Sequence, residues 1–210
     1  MARATETRRR TRIQIEKEQD ILEAALSLFS SKGFPGTTLD EIAAVAGMSK
    51  PNLIYYFPRK EDVYQAVLNH TLEDWLEPLK ALDPSGEPLA EIRGYLHRKL
   101  AMSRSRPLES RLFANEILQG APQIGPILRG PLRDLVADKV KIIQGWIDAG
   151  QLTPHNPYHL IFSIWATTQH YADFDVQVRA VMGDEVDEAT RFTDADFFLE
   201  QVFLRGLRPD

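Results

Sequence analysis

Proline and glycine cut this chain into segments, and within almost every segment the apolar residues recur at the helical period. A half-buried strand would alternate in twos instead, and no segment does so convincingly. The chain is therefore expected to be all-α. In residues 15–31, Leu22, Ala25 and Phe29 form a stripe flanked by Ile21 and Leu28. Gly33 and the pair Pro35-Gly36 then end the helix in a turn. Thr38 and Glu41 form a capping box, in which the hydroxyl accepts from the Glu41 backbone N–H and the carboxylate reaches back. A short helix follows with Leu39, Ile42, Ala43 and Ala46 inward. Gly47 ends it, Ser49 caps another short helix to Phe57, and Pro58 closes that one.

Longer helices are expected from residue 60: 60–79, 88–104, 107–119, 127–149, 156–174 and a last one capped by Thr193 through 206, with 183–192 as a polar loop. The domain division that follows is a basic disordered arm (1–13), a small helical domain (14–59) and a larger helical body (60–210).

Two short helices joined by a few residues around a glycine match a helix-turn-helix. In such a unit the start of the second helix enters the major groove of DNA and presents outward side chains to base edges. Here those are Lys50, Pro51, Asn52, Tyr55 and Tyr56, while Leu53 and Phe57 face the core. Lysine donates to guanine, asparagine suits adenine, and tyrosine hydroxyls reach phosphate. Thr37 and Thr38 offer hydroxyls and N–H groups to a phosphate. A helical hairpin with its aromatics packed inside is the alternative.

Charge favours the DNA reading. The net charge is −5, yet residues 1–60 hold ten Lys and Arg against seven Asp and Glu, and the remaining 150 hold fifteen against twenty-three. Arg3, Arg8, Arg9, Arg10 and Arg12 face only Glu6 in the first twelve positions, and Arg9 and Arg10 are the arm's candidate DNA contacts. No cysteine is present, which excludes disulfides and thiolate chemistry and suits a reducing cytoplasm. No apolar run reaches a membrane span and none follows the charged N-terminus as in a secretory signal, so a cytoplasmic protein without membrane contact is expected. His155 and His159 have metal-pair spacing, but no carboxylate cluster accompanies them. No metal or other cofactor is expected, and with neither a nucleophile–base pair nor a phosphate-cradling glycine loop, no enzyme.

The run GFPGTTLDEIAAVAGMSKPNLIYYFPRKEDVY resembles the DNA-binding domain of the tetracycline-repressor (TetR) family of bacterial transcription regulators. The likeness covers about residues 14–64 and includes Gly-x-x-Gly-Thr-Thr, Ile-Ala-x-x-Ala-Gly-x-Ser and Tyr-Phe-Pro-x-Lys-Glu. It implies phosphate and base contacts at Thr37, Thr38, Lys50, Pro51, Asn52, Tyr55, Tyr56 and Lys60. Ile54 replaces an aromatic common there. Arg59 replaces a capping serine or asparagine, cannot cap, and adds charge beside the backbone site. The resemblance also implies that the body binds a small-molecule effector and forms a homodimer through its last two helices. That dimer would read a near-palindromic double-stranded operator.

Polar groups interrupt the apolar helices of the body. Gln169 lies one turn after Trp165 on the strip Ile161, Ile164, Trp165, Thr168, and Glu116 lies one turn from Leu112 and Phe113. A buried amide left unpaired costs about 1–3 kcal/mol, so Gln169 needs a partner, from a ligand or from a neighbouring helix. Glu116 reads as a structural ion pair or a ligand contact, and Trp75 as core. The runs WLEPLKA, SRLFANEILQGAP, LIFSIWATTQHYADF and GLRP resemble one branch of the family, the regulators of pyrimidine use that sense uracil and thymine. That likeness implies a pyrimidine effector contacted by Trp75, Trp165 and Gln169, with Glu116 and Tyr171 beside them. A hydrophobic drug or lipid-like effector is the rival within the family.

Overall fold

The computed structural model describes residues 12–183 and 185–209, so the expected DNA contacts Arg9 and Arg10 lie outside the described residues. All regular structure among the described residues is helical, as expected. The chain divides into two compact units, Met1–Leu68 and Asn69–Asp210.

In the first unit, α1 (Arg12–Lys32) starts inside the stretch expected as a disordered arm. It buries Ile21, Ala24, Ala25 and Phe29. Thr38 and Glu41 close both halves of the predicted capping box and start α2 (Leu39–Val45). The chain then reverses through Gly47 at φ +65°, where the Met48 N–H donates to the Ala43 carbonyl. Ser49 caps α3 (Lys50–Tyr56) by accepting from the Asn52 N–H. Leu53 and Phe57 are buried, as the pattern requires, with Ile42, Ala43, Val63 and Val67 completing the core. Tyr64, on α4 (Lys60–Lys80), meets Phe29 edge-on at 4.8 Å between centroids.

The cap of α4 has an unexpected form. Asp62 accepts from the Arg59 backbone N–H, as a capping-box acid does, and the Arg59 guanidinium holds the same carboxylate at 2.7 and 3.1 Å. Those contacts hold the Asp62 carboxyl below its usual range. The charge that Arg59 was expected to add is therefore matched by Asp62.

The second unit is built from α5 (Pro88–Ser105), α6 (Pro107–Leu118), the single turn α7 (Gly125–Ile127), α8 (Arg133–Asp148), α9 (Pro157–Asp173), α10 (Asp175–Met182) and α11 (Glu188–Leu207). Its core gathers Ile92, Tyr95, Leu96 and Leu100 with Ile143, Trp146, Ile161, Ile164, Leu199 and Leu204. Three elements differ from the pattern reading. The helix expected over 127–149 is interrupted by a π turn at Leu128–Leu132, where Pro131 has no N–H to donate. A helix forms at Asp175–Met182 although it buries nothing. The last helix begins at Glu188, because Asp187 accepts from the Thr190 N–H at 2.7 Å and caps it before Thr193 is reached.

Candidate nucleic-acid interface and effector site

The exposed face of α3 carries Lys50, Pro51, Asn52 and Tyr55, and Tyr55 is 73% exposed. Tyr56 is half-buried, with its ring perpendicular to that of Tyr55 at 5.3 Å. These five side chains do not pack into the first unit's core, so the aromatic-hairpin alternative lacks its packing. An open groove runs beside them, lined by Met48, Ser49, Asn52, Tyr55, Tyr56 and, from α1, Lys17. Lys17 was not singled out in the sequence, since on α1 it reads as an ordinary solvated charge.

Three expected phosphate contacts are otherwise engaged. Thr37 is fully buried and its hydroxyl donates to the Gly33 carbonyl at 2.9 Å, so that side chain is part of the turn. Lys60 donates to the Phe34 and Thr37 carbonyls, both at 2.8 Å, and its ammonium lies 4.3 Å from the Phe34 ring centroid. It ties the loop before α2 to the start of α4. Thr38 is exposed, but its hydroxyl both accepts from the Glu41 N–H and donates to the Glu41 carboxylate. Lys32 and Thr38 together hold Glu41 down to about 2, so this cap stays charged.

In the second unit the five expected effector residues make different contacts. Trp75 is buried and its Nε1 has no hydrogen-bond partner among the described residues. Trp165 donates through Nε1 to the Tyr95 hydroxyl at 2.5 Å, and Gln169 follows one turn later, half-buried. Tyr171 packs on Phe192 at 5.9 Å and sits on a different strip of α9 from Trp165 and Gln169. Glu116 is buried with Oε1 accepting from the Gln123 and Ile124 N–H groups at 2.6 and 3.2 Å. It fastens the turn after α6 through backbone bonds, where an ion pair or a ligand contact was expected.

The residue that sequence reasoning missed is Lys99. It is 1% exposed on α5, and its ammonium lies 4.1 Å from the Trp75 ring centroid. Burial pushes its pKa down to about 7, opposed by the nearby Asp173 carboxylate. Asp173 accepts the Ser110 hydroxyl at 2.5 Å, and burial pushes its own carboxyl up. Trp165, Gln169 and Asp173 are spaced four apart along α9, as are Tyr95, Lys99 and Ser103 along α5. Thr71, Ser103, Ser110 and Thr168 are also buried. Buried ionisable groups without full pairing concentrate at functional sites. The signal was legible: Lys99 falls on the stripe of Ile92, Leu96 and Leu100, where a lysine has no business unless something meets it.

Residues 21–67 match the bacterial regulatory proteins of the tetR family, and residues 68–210 match the C-terminal region of YcdC-like proteins. The chain belongs to the TetR family. It is 47% identical over 203 residues to the HTH-type transcriptional regulator RutR of Escherichia coli (strain K12), covering 97% of this chain and 96% of RutR. Among solved TetR-like folds, a putative transcriptional regulator of Streptomyces coelicolor, SCO4942, superposes with a TM-score of 0.74 at 25% identity, over 92% of this chain and 99% of that one. A TetR-like regulator from Rhodococcus sp. RHA1 gives 0.67 at 24% identity, over 94% and 98%. This TetR-family chain is thus a RutR homologue along nearly its whole length. No group of three or more His, Asp or Glu among the described residues could hold a metal, and none of those helices is long and apolar enough to cross a membrane.

Proposed function

We propose that this protein is a cytoplasmic transcriptional repressor that binds a near-palindromic operator as a homodimer and is released by a pyrimidine such as uracil or thymine. The observation that carries the DNA half is the outward presentation of Lys50, Asn52 and Tyr55 on a short capped helix. Asn52 and Lys50 offer base-edge contacts, and Tyr55, Tyr56 and Lys17 offer phosphate contacts.

The dimer is supported by apolar surface on the last helices. Phe162 on α9 and Phe197, Phe198 and Val202 on α11 are 47–69% exposed, apolar surface that a monomer would leave in water. Two such protomers would set their recognition helices roughly 34–36 Å apart, one DNA turn.

The effector half is supported by the likeness of the body's sequence runs to the regulators of pyrimidine use, and by buried Lys99 and Trp75 with half-buried Asp173 near Lys99. An apolar drug or lipid site would be lined differently, because unmet polar groups weaken apolar binding. A coupling of about 1–3 kcal/mol between effector and DNA changes operator affinity some 5- to 150-fold. The test selects a bound duplex from a random library, then measures its affinity with and without millimolar uracil or thymine. Release is expected. Unchanged affinity overturns the effector reading and leaves DNA binding standing, and failure to select any duplex overturns both.

A further inference from the structure

Lys99 and Trp75 bring two hydrogen-bond donors together inside the second unit, ammonium over indole ring. The Lys99 ammonium lies over the Trp75 ring, and among the described residues it makes neither a hydrogen bond nor an ion pair. Trp75 Nε1 is likewise buried without an acceptor. A buried ammonium satisfied only by an indole face is undercompensated, because an ion taken out of water needs opposite charge and hydrogen bonds to its protons. Asp173 uses Oδ1 for the Ser110 hydroxyl, and its carboxylate acts on Lys99 electrostatically while standing beyond ion-pair distance. Two donors lack acceptors, and the second oxygen of the nearby carboxylate, Asp173 Oδ2, takes no hydrogen bond among the described residues. The complement is a neutral group with a carbonyl oxygen next to an N–H. A uracil or thymine ring carries that edge. A hydrocarbon carries neither half, and an organic anion would meet Asp173 as a like charge.

We propose that Lys99 is the specificity-determining residue of the effector site, donating from Nζ to a pyrimidine carbonyl oxygen with Trp75 Nε1 as second donor and Asp173 accepting from the adjacent ring N–H. This rests on the pyrimidine reading above and assigns its polar contacts to residues outside the Trp165–Gln169 pair.

The test is calorimetric titration of uracil into the wild-type protein, Lys99→Met and Lys99→Gln. Methionine keeps an unbranched stem and removes the donor; glutamine restores a donor without charge. Far-UV circular dichroism and Tm check that each variant is folded. The expected loss in Lys99→Met is about ten- to a hundred-fold in affinity, the worth of a charge-assisted hydrogen bond, with part of it recovered in Lys99→Gln. Wild-type affinity in folded Lys99→Met, or equal loss in both variants, overturns the role of Lys99 while leaving the pyrimidine reading intact. A wild-type protein that takes up neither uracil nor thymine overturns that reading and this proposal together. Where Lys99→Met fails to fold, Asp173→Asn decides, and uracil affinity equal to wild type overturns the contact set.

Discussion

The ammonium of Lys50, the lysine proposed to reach a guanine, donates to Oδ2 of Asp40 at 2.8 Å across the turn between α2 and α3. Both side chains are largely exposed, so the pair adds little to stability. Its effect falls on DNA: Asp40 either surrenders Lys50 to a base or stands as an unmatched anion close to the duplex. Asp40→Asn is therefore expected to raise affinity for random DNA a few-fold and to steepen the dependence of log K on log salt by about 1. Anisotropy titrations with a random duplex at several salt concentrations measure both. An unchanged salt slope would mean that Lys50 does not approach DNA.

Asn52 and Tyr56 lie four apart on α3, and their chemistry predicts different losses. Asn52→Ala removes a base-edge reader and is expected to flatten preference at one operator position, a discrimination of about 1–3 kcal/mol. Tyr56→Phe removes only a hydroxyl and is expected to weaken all sequences alike. Binding of the selected operator and of its single-base variants separates the two patterns. If both substitutions merely unfold the first unit, these side chains serve the core instead.

The helical fold was legible because burial follows the same period as the pattern: Ala25 and Phe29 of the stripe and the flanking Ile21 are buried, with Leu22 half-buried, and Leu53 and Phe57 are buried likewise. Element ends were less so. Asp187 and Thr193 are both competent caps, and sequence could not rank them, since helix 188–207 is held by Leu199 and Leu204 packing on residues distant in the chain. The outward-facing side chains of α3 were readable because exposure on a seven-residue helix follows from its wheel. The intramolecular partners of Thr37 and Lys60 were not legible, because Gly33 and the Phe34 and Thr37 carbonyls are turn geometry that side-chain chemistry does not announce. Lys99 was overlooked because a charged residue is ordinarily assigned to solvent, even when its helical phase says otherwise.

The structural role of Lys60 can be checked directly. Two charge-assisted bonds to backbone carbonyls and a contact over Phe34 disappear in Lys60→Ala. The side chain is half-buried, so the expected loss is about 1–2 kcal/mol, at the low end for such bonds. Urea denaturation reads the stability. The salt slope of DNA binding in the folded fraction is expected to stay unchanged; a slope reduced by about 1 would restore Lys60 as a phosphate contact.

Lys99 makes stability depend on pH in a defined direction. Burial lowers its folded pKa to about 7, while an unfolded lysine holds its proton to about 10.4. Below pH 7 both states are protonated, and the native state bears the full cost of a buried ammonium. Between about pH 7 and 10.4 the unfolded chain binds a proton that the native chain has released, so this residue makes stability rise with pH, by up to about 1.4 kcal/mol per unit. Lys99→Met removes the cost at every pH. The variant is expected to be more stable than wild type at pH 6, and the gap to close as pH approaches 10. Urea denaturation of both proteins across that range tests it, the difference between them cancelling the titration of Asp173 and of every other group they share. Two curves that stay parallel would show that the Lys99 amine keeps its proton in the folded protein, through a partner or through water.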